Sequence, residues 1–153
     1  MLKLASIFTD SAVLQRNKLI PVWGYATPKK LVEVTLGKQK SWAKATASGK
    51  FMSYLPAQTA GGPYELTVKC EDETVTLRDI MIGEVWLAGG QSNMEYRMDR
   101  PKGYVLQKRG EDLQMEEYLK GGDERIRLLY VEKKRNVDAL PSKGWQTLDK
   151  ESI

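Results

Sequence analysis

Ser92 is the residue whose surroundings in the sequence best suit nucleophilic chemistry. It follows a glycine pair, Gly89 and Gly90, that ends the nearly continuous apolar run 80–88. Such a run is typical of a strand covered on both faces, which would place the hydroxyl at the carboxyl edge of a parallel sheet, where α/β folds have their sites. The glycines permit a tight turn, and a helix beginning at Asn93 would orient the Ser92 backbone N–H toward an oxyanion.

The same pattern also fits a loop in which Ser92 only caps a helix, and the pattern alone favours this structural role. The turn is not a Gly-x-Ser-x-Gly nucleophile elbow, because Met94 occupies the last position. No Gly-Lys-Ser/Thr follows, so it is not a phosphate loop either. The 153 residues contain no histidine, the usual base for such a serine, and no carboxylate can be assigned in its place. For Glu95 we expect a position in the first turn of a helix.

Composition excludes several other kinds of protein. The net charge is +4, but 24 basic residues lie among 20 acidic ones without a dense basic block, so a nucleic-acid partner is not favoured. The single cysteine, Cys70, rules out an internal disulfide, and without a Cys/His cluster we expect no metal and no cofactor. The sequence has no run of 18 or more apolar residues, so it predicts no membrane-spanning helix.

Residues 1–79 show the short strands and turn signals of an antiparallel β-sandwich, of the jelly-roll or immunoglobulin-like kind. Cys70 falls on the apolar face of the clearest alternating strand, where a free thiol behaves as a small hydrophobe. Trp42–Ala47 and Phe51–Leu55 are expected to form a hairpin through residues 48–50. The predicted strands are Ile20–Tyr25, Leu31–Leu36, Trp42–Ala47, Phe51–Leu55, Tyr64–Cys70 and a short one with Val75 and Leu77.

The pattern changes near Ile80, where residues 80–153 predict the first βαβ part of a larger α/β domain. A strand at Ile80–Ala88, a helix at Glu111–Lys120 and a strand at Arg125–Val131 follow in order. The polar remainder, Glu132–Ile153, supplies no obvious further strand. Because a doubly wound domain needs more strands, we expect this second domain to be incomplete, and its unfinished sheet would allow association with a partner.

Thirteen residues around Ser92 closely resemble the first conserved block of the sialate O-acetylesterase family, serine esterases of the Ser-Gly-Asn-His hydrolase group. Further blocks upstream and downstream resemble the same family in the same order, so the resemblance spans most of the chain. Ala88 and Gly89 depart from the family pattern, in which Cys and Ser are common. The matching segments are 83–95, 5–10, 13–16, 20–26, 60–64, 126–128 and Trp145.

The resemblance implies hydrolysis of O-acetyl esters on sugars, typically 9-O-acetyl sialic acid, with Ser92 as nucleophile and its N–H as an oxyanion donor. Gly90, Gln91 and Asn93 would form the turn or contact substrate. The family's Asn and Asp/His blocks come later than these residues, so the chain is expected to be an inactive amino-terminal part. The family also implies an extracytoplasmic location. Acetylxylan esterase-like activity and a non-catalytic glycan-binding or assembly module remain alternatives. All four tryptophans offer rings that could stack on a sugar, but the strand positions of Trp23 and Trp86 favour core packing.

Overall fold

Strands account for the regular structure in residues 1–90, 123–134 and 140–148, which the computed structural model describes. Those residues include no helix, and hence none long and apolar enough to cross a membrane. The strands found there are β1 (Lys3–Leu4), β2 (Val13–Gln15), β3 (Ile20–Tyr25), β4 (Leu31–Leu36), β5 (Gln39–Lys44), β6 (Lys50–Leu55), β7 (Gly61–Cys70), β8 (Glu73–Gly83), β9 (Asp123–Leu129) and β10 (Trp145–Leu148).

The first eight strands form two sheets. One has the order β1-β3-β6 and the other the order β2-β8-β7-β4-β5. Neighbouring strands are antiparallel except for β2 and β8, which are parallel. The prediction of a strand-built amino-terminal region is therefore confirmed, whereas the expectation of wholly antiparallel sheets is wrong because β2 joins the edge of the larger sheet in the parallel sense.

Both sheets contribute side chains to one hydrophobic core. Ile20 and Val22 of β3 and Val32 and Val34 of β4 are at most 2% exposed. Their neighbours along each strand lie on the opposite face and are more exposed, because successive side chains of a strand alternate between its faces. Burial of each such side chain contributes about 1.5–3 kcal/mol. Strands β3 and β4 have the bounds that the sequence predicts, but they lie in different sheets.

The alternation in β7 also buries the residues that the sequence predicts. Leu66, Val68 and Cys70 are at most 2% exposed, and Cys70 is a free thiol. Trp23 packs against the core from the other sheet, as expected. The expectation for Trp86 is wrong, because the strand ends three residues before it and its side chain lies outside the core.

The predicted hairpin between β5 and β6 is wrong. A turn does connect them, with the Thr46 N–H donating to the carbonyl of Lys50 at 2.8 Å and Gly49 at a φ of 81°. Strand β5, however, pairs with β4, and β6 pairs with β3. The alternating pattern indicates which face of each strand is buried, but it carries no information about which neighbour the strand hydrogen-bonds with.

Strand β8 contains a bulge where the sequence changes its pattern. Leu66 pairs with Leu77 and Tyr64 with Ile80, so β8 has one residue more than β7 in this interval. Asp79 carries the positive φ, 57°, and its carboxylate accepts a hydrogen bond from the Ser11 hydroxyl at 2.8 Å. The bulge reverses the alternation, so that Ile80 and Ile82 point into the core. One strand thus includes both the short strand predicted at Val75 and Leu77 and the start of the predicted run Ile80–Ala88. That run was expected to be a strand throughout, but it leaves the sheet at Gly83.

The chain divides into two compact units, Met1–Val85 with Leu129–Trp145, and Trp86–Leu128 with Gln146–Ile153. Strand β9 confirms the strand predicted at Arg125–Val131, displaced by two residues. It pairs with β10, a strand that the sequence analysis missed because the apolar residues of 145–148 are too few to show a period. The predicted helix Glu111–Lys120 lies outside the described residues.

Candidate active site

The glycine turn around Ser92 is the predicted site, and the structure describes its approach. Gly89 and Gly90 belong to no strand or helix. Gln91, Ser92, Asn93 and Glu95 lie outside the described residues. The described part of the candidate site is therefore the segment 83–90, together with the groups that hold it.

Strand β2 holds the end of β8, from which this segment departs. Gln15 is in register with Gly83, and the Arg16 N–H donates to the Gly83 carbonyl at 2.9 Å. Two residues further along the chain, the Val85 N–H donates to the side-chain oxygen of Gln15 at 2.9 Å. Hydrogen bonds from a second strand therefore fix the backbone as far as Val85.

The Glu84 carboxylate is the charged group of this segment. Gln15 donates to one of its oxygens at 2.9 Å, and the Arg16 guanidinium contacts the other at 2.6 Å. These hydrogen bonds, with the Gln15 amide contributing most, hold the pKa of Glu84 below its ordinary value. A carboxylate engaged in this way is a weak proton acceptor, so Glu84 suits positioning of the chain rather than general-base catalysis.

A mainly apolar cavity of about 210 Å³ adjoins Val85. Its walls include Phe8 and Trp23, which meet edge to face with ring centroids 4.7 Å apart, and Trp145. The Trp145 indole N–H donates to the carbonyl of Ile7 at 2.9 Å. The cavity is smaller than the range of about 300–1,000 Å³ usual for small-molecule sites, and none of its described wall residues is titratable. The described walls therefore suit a small apolar group rather than a catalytic role.

The sequence pattern alone indicates no role for Gln15, Arg16 or Glu84. A signal was present, since residues 13–16 and 83–95 both carry the family resemblance. The link between them is a contact across 69 residues, which no local pattern reveals. Within the described residues, no group of three His, Cys, Asp or Glu side chains could hold a metal ion.

The comparisons with known proteins point first to a class. The crystal structure of a carbohydrate acetylesterase from Xanthomonas citri superposes with a TM-score of 0.83 and 31% identity, covering 97% of this chain and 33% of that protein. The described fold is thus similar to that of part of this carbohydrate acetylesterase.

Particular relatives are the sialate O-acetylesterases of Homo sapiens and Mus musculus. Each is 34% identical over 104 residues, 61% of this chain. The chain spans about a fifth of their length, 20% and 19% respectively. No family model matches the chain. The resemblance to the sialate O-acetylesterase family that the sequence indicates is confirmed.

Proposed function

We propose that this chain supplies the nucleophile segment of a carbohydrate O-acetylesterase, with Ser92 as the attacking residue. The observation that carries the proposal is the similarity to a carbohydrate acetylesterase over 97% of the chain. The similarity to sialate O-acetylesterases favours an acetylated sialic acid as substrate, 9-O-acetyl esters in particular. The bonds that anchor Gly83 and Val85 support it, because a nucleophile turn needs a rigid base.

In the proposed reaction the Ser92 hydroxyl oxygen forms a bond to the acetyl carbonyl carbon. The proton of the Ser92 hydroxyl passes to a base, and the base then gives it to the sugar oxygen as the ester bond breaks. Water releases acetate from the acyl-enzyme. The backbone N–H of Ser92 donates to the oxyanion, while Gly90, Gln91 and Asn93 form the turn or contact substrate. Since the 153 residues include no histidine, the base belongs to a segment outside them.

For the domain organisation we propose an accessory β-sandwich, of the jelly-roll or immunoglobulin-like kind, at residues 1–79. Residues 80–83 complete strand β8 of that sandwich, so the α/β domain of the Ser-Gly-Asn-His hydrolase type that we propose within 80–153 begins after Gly83. The single core between two sheets supports the first part, and the strand β9, which follows the nucleophile segment, supports the second.

The test uses two lengths of polypeptide. The 153-residue chain should hydrolyse 4-nitrophenyl acetate no faster than its Ser92→Ala variant, because loss of the base removes most of the rate. A polypeptide extended by translation of its own downstream reading frame should release acetate from 9-O-acetylated N-acetylneuraminic acid. Ser92→Ala should reduce that rate about a thousandfold or more, whereas Ser48→Ala, in an exposed turn, should not.

Two results would contradict the proposal. A rate that survives Ser92→Ala in the extended polypeptide would assign the nucleophile to another residue. A downstream frame without a histidine block, together with no acetate release, would remove the esterase mechanism altogether. A Ser92-dependent rate in the 153-residue chain would show instead that these residues contain a base.

A further inference from the structure

Trp42 lies half exposed on the outer face of the five-stranded sheet, away from the core that the two sheets share. Its side chain is 54% exposed on edge strand β5, and its partner across the register is Glu33 of β4. Trp23 and Trp145, by contrast, pack against the core. An exposed indole therefore presents a large flat apolar surface to solvent at this position.

Hydrogen bonds hold the Trp42 ring in place. Its indole N–H donates to one oxygen of the Glu33 carboxylate at 3.1 Å, and the Lys40 ammonium donates to the other at 3.1 Å. These two hydrogen bonds keep the pKa of Glu33 below its ordinary value, and the bond from Lys40 has the larger effect. The carboxylate therefore stays charged at neutral pH. Because the ring is already oriented by its edge, a ligand that stacks on its face loses less free energy to ordering.

Lysine side chains share the face of the sheet on which the Trp42 ring lies. Lys40 and Lys44 precede and follow Trp42 by two residues on β5, so all three side chains share one face of the sheet. Lys69 of β7 is in register with Glu33 from the opposite side, on that same face. Lys40, Lys44 and Lys69 therefore lie on the same face of the sheet as Trp42, with Lys40 paired to the Glu33 carboxylate.

We propose that Trp42, with Lys40, Lys44 and Lys69, binds a carbohydrate that carries a carboxylate. The apolar face of a pyranose ring stacks on the indole, and its carboxylate contacts the ammonium groups. A nucleic acid fits less well, because single-strand binding stacks successive bases on several aromatic rings and this face offers one. The proposal does not depend on the esterase function, because no bond is made or broken at this site.

The test follows the four indole N–H signals of the ¹⁵N-labelled chain by NMR. Titration with 3′-sialyllactose should shift the Trp42 signal saturably, with a Kd on the order of 1 mM. Lactose, which lacks only the acidic sugar, should bind about three- to tenfold more weakly, and added salt should reduce that difference. Because the Trp42→Ala variant lacks the indole signal, its binding is followed by the line broadening of the sugar signals. We expect this broadening to be lost.

A charge-matched pair of variants tests the lysines without removing the ring. Lys40→Gln with Lys44→Gln should weaken sialyllactose binding about three- to tenfold, whereas Lys3→Gln with Lys18→Gln, at exposed positions elsewhere, should leave it unchanged. The remaining amide signals report that each variant is folded. Equal binding of lactose and sialyllactose, binding that survives Trp42→Ala, the absence of any shift, or tighter binding of oligothymidylate than of sialyllactose would each overturn the proposal.

Discussion

Ile82 lies where strand β8 leads into the segment that precedes Ser92, and its removal tests how that strand is held. The side chain is 2% exposed, belongs to the shared core, and is in register with Leu14 of β2. Ile82→Ala deletes three carbon atoms, which at about 0.8 kcal/mol each amounts to a transfer term of about 2.4 kcal/mol. The cavity left behind adds to this, so we expect a total loss of about 3–4 kcal/mol, within the usual range for such substitutions.

The assay is urea unfolding followed by tryptophan fluorescence, with the free energy of unfolding extrapolated to water. Ile126→Ala is the matched control, because it deletes the same atoms from a strand residue that is 46% exposed. We expect the control to lose less than about 1 kcal/mol. The reasoning would be refuted by an Ile82→Ala loss below about 1 kcal/mol, or by equal losses in the two variants at the same m-value.

Two further predictions concern Glu84 and Cys70. Because the folded state lowers the pKa of Glu84, its hydrogen bonds stabilise the protein above the unfolded value of 4.5, and this stability is lost as the pH falls through the folded value. The Tm of the wild type should exceed that of Glu84→Gln at neutral pH, and the difference should disappear in acid; a constant difference would contradict this. The Cys70 thiol, 2% exposed, should react with a disulfide reagent only after unfolding in urea, and rapid reaction of the native chain would show that β7 opens readily.

The candidate site was predictable only in part. The Gly-Gly-Gln-Ser-Asn segment and its resemblance to esterases are properties of adjacent residues, so they can be read from the sequence. The groups that anchor its approach are not adjacent. Gln15 and Glu84 look unremarkable in their own segments and acquire a role only when β2 and β8 lie side by side.

The sequence by itself determined where strands β3 and β4 begin and end, and that Leu66, Val68 and Cys70 face a core. Alternation of apolar residues is local, and burial follows it directly. Only the tertiary structure decided that β5 and β6 belong to different sheets, and that Asp79 forms a bulge which turns Ile80 and Ile82 inward. Strand pairing depends on contacts between residues that are distant in the sequence. Because the same alternating pattern is compatible with several partner strands, the packing of the whole core determines which strands pair.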